Sequence, residues 1–361
     1  MRKLTVSIAN LFFATNCFAA IELSDSLVLS GFGSTSISKS DNDTPLIINR
    51  SIADDVCWDC DTTLGLQLDY FKEDFRASTQ LVKRPQDEWS DPELEWAYLG
   101  YAIDDIELRG GRLRLPVFLA SEYYYVGHAY IFARPPEELY NSILGITAYN
   151  GFNLVWQYEI ADEYQLTFTP FIGFDDDSTV DVTSTLDVQI DIDKMSGASA
   201  QIHGDYFRWN FAYFHADFMQ TFEFTNAFPG VPYTELALPK EDIELYSFGA
   251  EYELGNWILN AERQMSNIRS TWYASAAYRI GKFVPYALYG ENYAKVTNVS
   301  TYNGKSGRSW NLGVRYDLRY NISVNLEWQT FDALGGQRGS FVEAPTDDDA
   351  DLVTLMVSFV F

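Results

Sequence analysis

Residues 351–361 read DLVTLMVSFVF. Val353, Leu355, Val357, Phe359 and Phe361 share one parity, and Thr354, Met356 and Ser358 share the other. In an extended chain successive side chains point to opposite faces, so this is a strand with one wholly apolar face. Chain ends of water-soluble domains are usually polar and frayed. A strand that finishes on an apolar alternation needs an apolar surface to face.

The same period runs through the chain. Leu64, Leu66, Leu68 and Tyr70 oppose Gly65, Gln67 and Asp69, and Phe152, Leu154, Trp156 and Tyr158 oppose Asn153 and Gln157. Phe207, Trp209, Phe211 and Tyr213 oppose Arg208 and Asn210, while Ile322, Val324, Leu326 and Trp328 oppose Ser323, Asn325, Glu327 and Gln329. Runs of about ten such residues match a tilted strand crossing a bilayer, and aromatic residues gather near their ends. The connections come in two sizes. Short turns such as YELGNWIL and YRIGKFV alternate with connections at 40–61, 84–92, 115–145, 174–195, 218–242, 296–306 and 331–350 and a short one at 267–269. This alternation predicts an all-β fold, a transmembrane antiparallel β-barrel of about 16 strands with both ends on the short-turn side. A soluble sandwich would also alternate, but it has no use for aromatic girdles.

Composition agrees. The 361 residues are 16% aromatic, with three cysteines, three histidines and a formal charge of −26. Nucleic-acid binders carry basic surfaces, so that class is excluded. Residues 1–19 place Arg2 and Lys3 before an apolar stretch and a small-x-small CFA at Cys17–Ala19. That is the layout of a signal peptide, leaving 20–361 as one barrel domain. Its removal takes the charge from −26 to −28. No run reaches the ~18–20 apolar residues of a spanning helix. His128, His203 and His215 are scattered, and no nucleophile motif or P-loop is present, so an enzyme is not expected.

Taken together, the leader, the strand pattern, a long third loop and Phe361 resemble the trimeric porins of the Gram-negative outer membrane. The resemblance implies a homotrimer embedded in outer-membrane lipid and lipopolysaccharide. It implies a C-terminal strand read by the barrel assembly machinery. It also implies a water-filled channel for small hydrophilic solutes with no cofactor. In porins the third loop folds into the barrel and narrows it. Here that loop is 115–145, rich in Tyr123, Tyr124, Tyr125, Tyr130 and Phe132, with Arg134-Pro135-Pro136-Glu137-Glu138 opening a short helix PEELYNSIL. Glu122, Glu137 and Glu138 would face wall arginines Arg76, Arg109, Arg112 and Arg114 across the constriction, with Arg134 in the same loop. Before Gly110-Gly111 the lipid face holds Ile106 and Leu108, and after it Leu113 and Leu115. One extra residue in a bulge there would turn Arg109, Arg112 and Arg114 all inward.

Cys57 and Cys60, in VCWDC, are the thiols left after the leader, and export favours their oxidation to a loop disulfide. Acidic runs occur at Asp175, Asp176 and Asp177 and at Asp347, Asp348 and Asp349. The plainer reading is a solvated loop. The sharper one is Ca²⁺ or Mg²⁺ bridging to lipopolysaccharide phosphates. The motif GRLRLP also has a short likeness to phosphate-selective porins. General diffusion is therefore the leading expectation, followed by an anion-specific channel and then by a structural or adhesive barrel.

Overall fold

The computed structural model describes residues 20–85, 92–143, 146–160, 163–183, 185–228, 231–297 and 300–361; the expected leader, 1–19, lies outside them. Strands β1 (Ile21–Ser24), β2 (Leu27–Ser40), β3 (Thr63–Lys72), β4 (Phe75–Lys83), β5 (Glu93–Ile103) and β6 (Ile106–Arg114) precede the third loop. A one-turn helix, α1 (Glu137–Tyr140), lies within that loop. Then come β7 (Ala148–Ile160), β8 (Tyr164–Thr183), β9 (Leu186–Gly204), β10 (Phe207–Phe228), β11 (Val231–Ala237) and β12 (Glu241–Leu254). The chain ends with β13 (Trp257–Ser266), β14 (Arg269–Tyr278), β15 (Phe283–Ala294), β16 (Gly304–Arg319), β17 (Ile322–Ala333) and β18 (Asp349–Val360).

Every neighbouring pair is antiparallel, and β18 pairs with β2 from Leu352↔Ser40 to Val360↔Phe32, which closes the sheet. β10 pairs directly with β12 below the short β11, and β1 only folds back on β2. The wall is therefore a closed barrel of 16 strands. Closure is what lipid demands, because an open edge would leave backbone N–H and C=O groups unsatisfied.

The wall is inside out relative to a soluble protein. On β18, Val353, Leu355 and Val357 are 39–51% exposed, whereas Thr354 and Ser358 are buried. On β17, Leu326 and Trp328 face out while Ser323, Asn325, Glu327 and Gln329 are buried inside. The outward aromatic pairs Tyr164–Phe207, Trp257–Tyr278 and Phe283–Tyr316 all flank short turns, forming a girdle on that side. The turn Gly255-Asn256 is tight because Gly255 takes φ +63°, which glycine adopts without strain.

Two expected loops are not loops. Strands β8, β9 and β10 run 20, 19 and 22 residues, so 174–183, 186–195 and most of 218–242 continue the sheet on the external side. A register shift puts Asp217 opposite Lys194 but Phe218 opposite Ile192, so Asp193 is bulged out. The bulge breaks the two-residue alternation that marks strands in sequence, which is why this stretch reads as loop. Beyond it, Val188, Ile190 and Ile192 are buried on one face, and Asp187 and Asp191 alternate with them.

A charge on the lipid face should cost about 2–4 kcal/mol at mid-membrane depth. We expect Leu355→Arg to lower folding stability by that amount in urea titrations of detergent-refolded protein. Thr354→Ser, on the inner face, should leave it almost unchanged.

Candidate functional site: the inward-folded third loop

Between β6 and β7 the described residues 115–143 and 146–147 leave the wall, and their buried side chains lie in the barrel interior. The loop's apolar residues set its course. Leu115, Val117, Phe118, Tyr130, Phe132, Leu139 and Tyr140 join one buried cluster with inward residues of the wall, among them Phe214, Leu245, Tyr273 and Tyr286. Phe132 meets Tyr286 edge-on with ring centroids 5.4 Å apart, and Phe118 meets Tyr140 at 5.3 Å. The expected helix after Pro135-Pro136 is one turn long, with Pro136 at its N-cap.

Loop backbone groups buried away from water need partners, and the wall supplies them. Asn210 donates to the Val117 carbonyl at 3.0 Å, and the Glu262 carboxylate accepts from Leu119 N–H at 2.8 Å and from the Tyr140 hydroxyl at 2.8 Å. Asn325 donates to the Ile131 carbonyl at 2.6 Å, Arg315 to the His128 carbonyl at 2.8 Å, and Ala133 N–H to Glu327 at 3.3 Å. The loop is thus tied to strands all round the barrel.

Arg134 is the central tie. Its guanidinium donates to both Asp61 oxygens at 2.8 and 2.5 Å, to Ser38 at 2.9 Å and to Gln329 at 3.0 Å, and it is buried. Asp61 also accepts from Arg50 at 2.7 Å and from Ser36 at 2.6 Å. One carboxylate therefore joins the first external loop, the third loop and strand β2. Burial pushes the Asp61 carboxyl up, but Arg134 and Arg50 outweigh it and hold the group well below its ordinary range.

The sequence-predicted residues come out in a different arrangement from the one expected. Glu137 and Glu138 are buried, Glu137 beside Arg50 (3.9 Å) and Asn141, Glu138 on the Ser309 hydroxyl, in space that Gly290 leaves open. Burial pushes the Glu137 carboxyl up to about 7 despite Arg50 and Arg134. Arg76 lies 3.5 Å from Asp69 and Arg109 makes a two-pronged bond to Glu107 at 2.9 and 3.0 Å, so each arginine is paired along its own strand or the next. Arg112 reaches Asp176 at 2.6 Å, and Arg114 bonds Glu95 and the Ser121 carbonyl. Of the three loop carboxylates, exposed Glu122 lies close enough to Arg109 for their charges to interact.

No extra residue is inserted at Gly110-Gly111. Both pair one-to-one with β5 and with β7. The irregularity is the φ of +138° at Gly111, where an added Cβ would lie 2.3 Å from the Ala97 carbonyl oxygen. Leu113 and Leu115, expected on the lipid face, are buried in the main cluster. Arg112, Arg84, Glu93 and the 176–179 segment line a small cavity of about 150 Å³ at the external side.

Cys57 and Cys60 form a disulfide in the first external loop, with Cα atoms 5.9 Å apart. Among the described residues, neither Asp175–Asp177 nor Asp347–Asp349 brings three carboxylates within reach of one ion. Glu95, Glu262 and Glu327 are the residues that sequence reasoning missed as site elements. Their signal was a carboxylate at an inward parity in the middle of an apolar-alternating strand.

No family model matches the sequence, and no curated protein matches it. Solved structures do match. OmpF of Salmonella typhi, solved with daunomycin, superposes with a TM-score of 0.62 at 13% identity over 95% of this chain and all of that one. The fold is that of the outer-membrane porins. An anion-selective porin from Comamonas acidovorans gives 0.61 at 12% identity over 93% and 99%. OmpT of Vibrio cholerae, an outer membrane protein also solved in a trimer form, gives 0.58 at 13% identity over 93% and 99%. The lipid-facing belt and the closed wall make this an outer-membrane, multi-pass barrel.

Two titrations should show in the docking of this loop. The Asp61 carboxyl is depressed, so its contribution is present above its usual 3.8 and is lost as pH falls below that. The Glu137 carboxyl is raised, so ionising it weakens docking as pH climbs from 4.5 towards about 7. Protease cleavage within 115–147 should therefore be slowest near pH 4–5, with an acid-stable protease below and a second one above for overlap, and Glu137→Gln should flatten the upper limb. Arg134→Ala, which leaves Asp61 without a main partner, should cost about 3–5 kcal/mol and speed the same cleavage.

Proposed function

We propose that the chain forms a narrow, passive channel for small hydrophilic solutes. The observation that carries the reading is the third loop, which crosses a closed barrel and is anchored on opposite walls. An adhesive or purely structural barrel has no need of a loop so placed that it sets the cross-section. Selectivity in a pore follows its charged and narrowest parts. Along this path the accessible charges include Glu122 near Arg109 and, deeper in the wall, Arg208 beside Tyr123 and Glu251. Transport rather than catalysis suits Glu137 and Glu138, because each is engaged by its own neighbour. Three copies would assemble in lipopolysaccharide-bearing membrane, as the porin resemblance implies, with the C-terminal strand engaging the assembly machinery. The solute would need no cofactor.

An anion-specific channel is the second reading, favoured by the arginines of β6 and by the cavity that Arg84 and Arg112 line. Single-channel recording of refolded protein in a planar bilayer, under a salt gradient, separates the readings. We expect small, discrete conductance steps that grow when Arg134→Ala releases the loop. A strongly anion-directed reversal potential, lost in Arg112→Ala and Arg114→Ala, would favour the second reading. A folded barrel that conducts in neither the wild-type nor the Arg134→Ala form would refute both.

A further inference from the structure

The inner arginines described so far all have carboxylates beside them. Arg269 and Arg338 do not. Arg269 opens β14 and points to the same face as Thr271 and Tyr273, which are buried inside the barrel. Arg338 belongs to the last external loop, which turns into the mouth: Phe341 is fully buried and Val342 joins the main apolar cluster. The Arg338 Nη1 donates to the Phe341 and Val342 carbonyls, both at 3.3 Å, which fixes the plane of its guanidinium. The charge acting on Arg338 is Arg269, and among the described residues neither arginine has a carboxylate in ion-pair range. Burial first, and Arg269 second, pull the Arg338 guanidinium down to about 10.

A second observation lies on the same wall. Gln264 and Thr271 face one another across β13 and β14, one strand step inward from Arg269. Both are fully buried, yet the Gln264 Oε1 and Nε2 and the Thr271 Oγ1 have no hydrogen-bond partner among the described residues. Buried polar groups without partners are rare, and each calls for an explanation. Two half-buried guanidiniums that stay charged at any ordinary pH, with no counter-charge beside them, also repel one another. One ligand resolves both observations. Planar guanidinium forks bind oxyanions in two-pronged fashion, and a hydroxyl and a side-chain amide add neutral donors.

We propose that Arg269 and Arg338, with the Thr271 hydroxyl and the Gln264 amide, form a binding site for a small oxyanion on the inner wall at the external mouth. Phosphate, sulfate and a solute carboxylate share the required chemistry. Because Arg269 faces the barrel interior, the ligand arrives as a solute and not as a lipopolysaccharide headgroup. The site does not depend on whether the barrel conducts, so binding and conductance can fail separately.

The test is calorimetric titration of full-length mature protein, refolded in detergent at low ionic strength, with inorganic phosphate and then with sulfate. We expect saturable binding of one anion per chain. Loss of a charge-assisted pair should weaken it about tenfold or more in Arg269→Gln and in Arg338→Gln. Arg279→Gln, at a short turn on the opposite side and paired with Glu253, should leave it unchanged. Heat-modifiable migration reports whether each variant folds. If the charge variants do not fold, Thr271→Val keeps the charges and should still weaken binding severalfold. Absence of saturable binding by the wild-type protein at millimolar anion would overturn the proposal. So would equal weakening by Arg279→Gln, and so would a folded Arg269→Gln that binds as the wild type does. Competition by added lipopolysaccharide at the same arginines would overturn the assignment to a solute.

Discussion

In lipid no water is available to satisfy a backbone N–H or C=O, and every other feature of this chain follows from that constraint. A sheet can meet it only by closing. The closing seam joins β18 to β2, and its last rung is the pair of 2.8 Å bonds between Gly31 and Phe361. The seam also explains residues that look weak for a strand. A Cβ on Gly31 would lie 2.3 Å from the Phe361 ring, and one on Gly33 would lie 2.6 Å from the Phe359 ring. Bare backbone on β2 lets two terminal aromatic rings lie flat over the joint and cover it on the lipid side. The apolar alternation at the chain's end is thus one half of a joint whose other half is the glycine-interrupted SLVLSGFGSTSIS.

Once the wall is closed, the inner face has to be met by water or by polypeptide. Here much of it is met by polypeptide, since wall residues such as Ser38, Ser323, Glu327 and Thr354 are no more than 1% exposed. The Asp61 carboxylate shows how such an interior is made stable. It accepts from Arg50, Arg134 and Ser36, so three segments far apart in sequence share a single buried hub. Networks of this kind are strong when complete and costly when broken, because the low-dielectric interior magnifies both effects. The third loop is accordingly part of the folded body and not a flap resting on it.

Period-two patterns carried most of this fold. The lipid faces of β3, β7, β17 and β18 and the short turns between strands were legible, because one buried or lipid-facing side per strand leaves a strict alternation, whereas the inward third loop was expected from the porin resemblance. The external halves of β8, β9 and β10 were not legible. A single bulged residue, Asp193, resets the alternation, and clustered aspartates mimic a solvated loop. The site was less legible than the fold. Residue types marked Arg109, Arg114, Arg134 and Glu137 as important, yet partners are chosen in three dimensions. Nothing local to Arg134 announces Asp61, and nothing local to Tyr140 announces Glu262.

The pairing pattern bears on what the pore can feel. Carboxylates on the third loop opposed to arginines on the wall would set a field across the gap. Here Arg109 is matched by Glu107, Arg76 by Asp69, and Arg84 and Arg114 by Glu95, each within the wall itself. Such neighbouring pairs are short dipoles whose fields fade quickly with distance and salt. The wall is therefore close to neutral along its arginine-rich strands, although the chain as a whole carries −26. In a lumen so balanced, a cation without a partner has an influence out of proportion to its number. Arg269 and Arg338 stand together at the external mouth, where an incoming solute meets them before the buried pairs. An acidic exterior repels anions at long range, while a half-buried guanidinium pair attracts them strongly only at contact. A mouth built this way would discriminate less by net charge than by whether a solute can present an oxyanion to both forks at once.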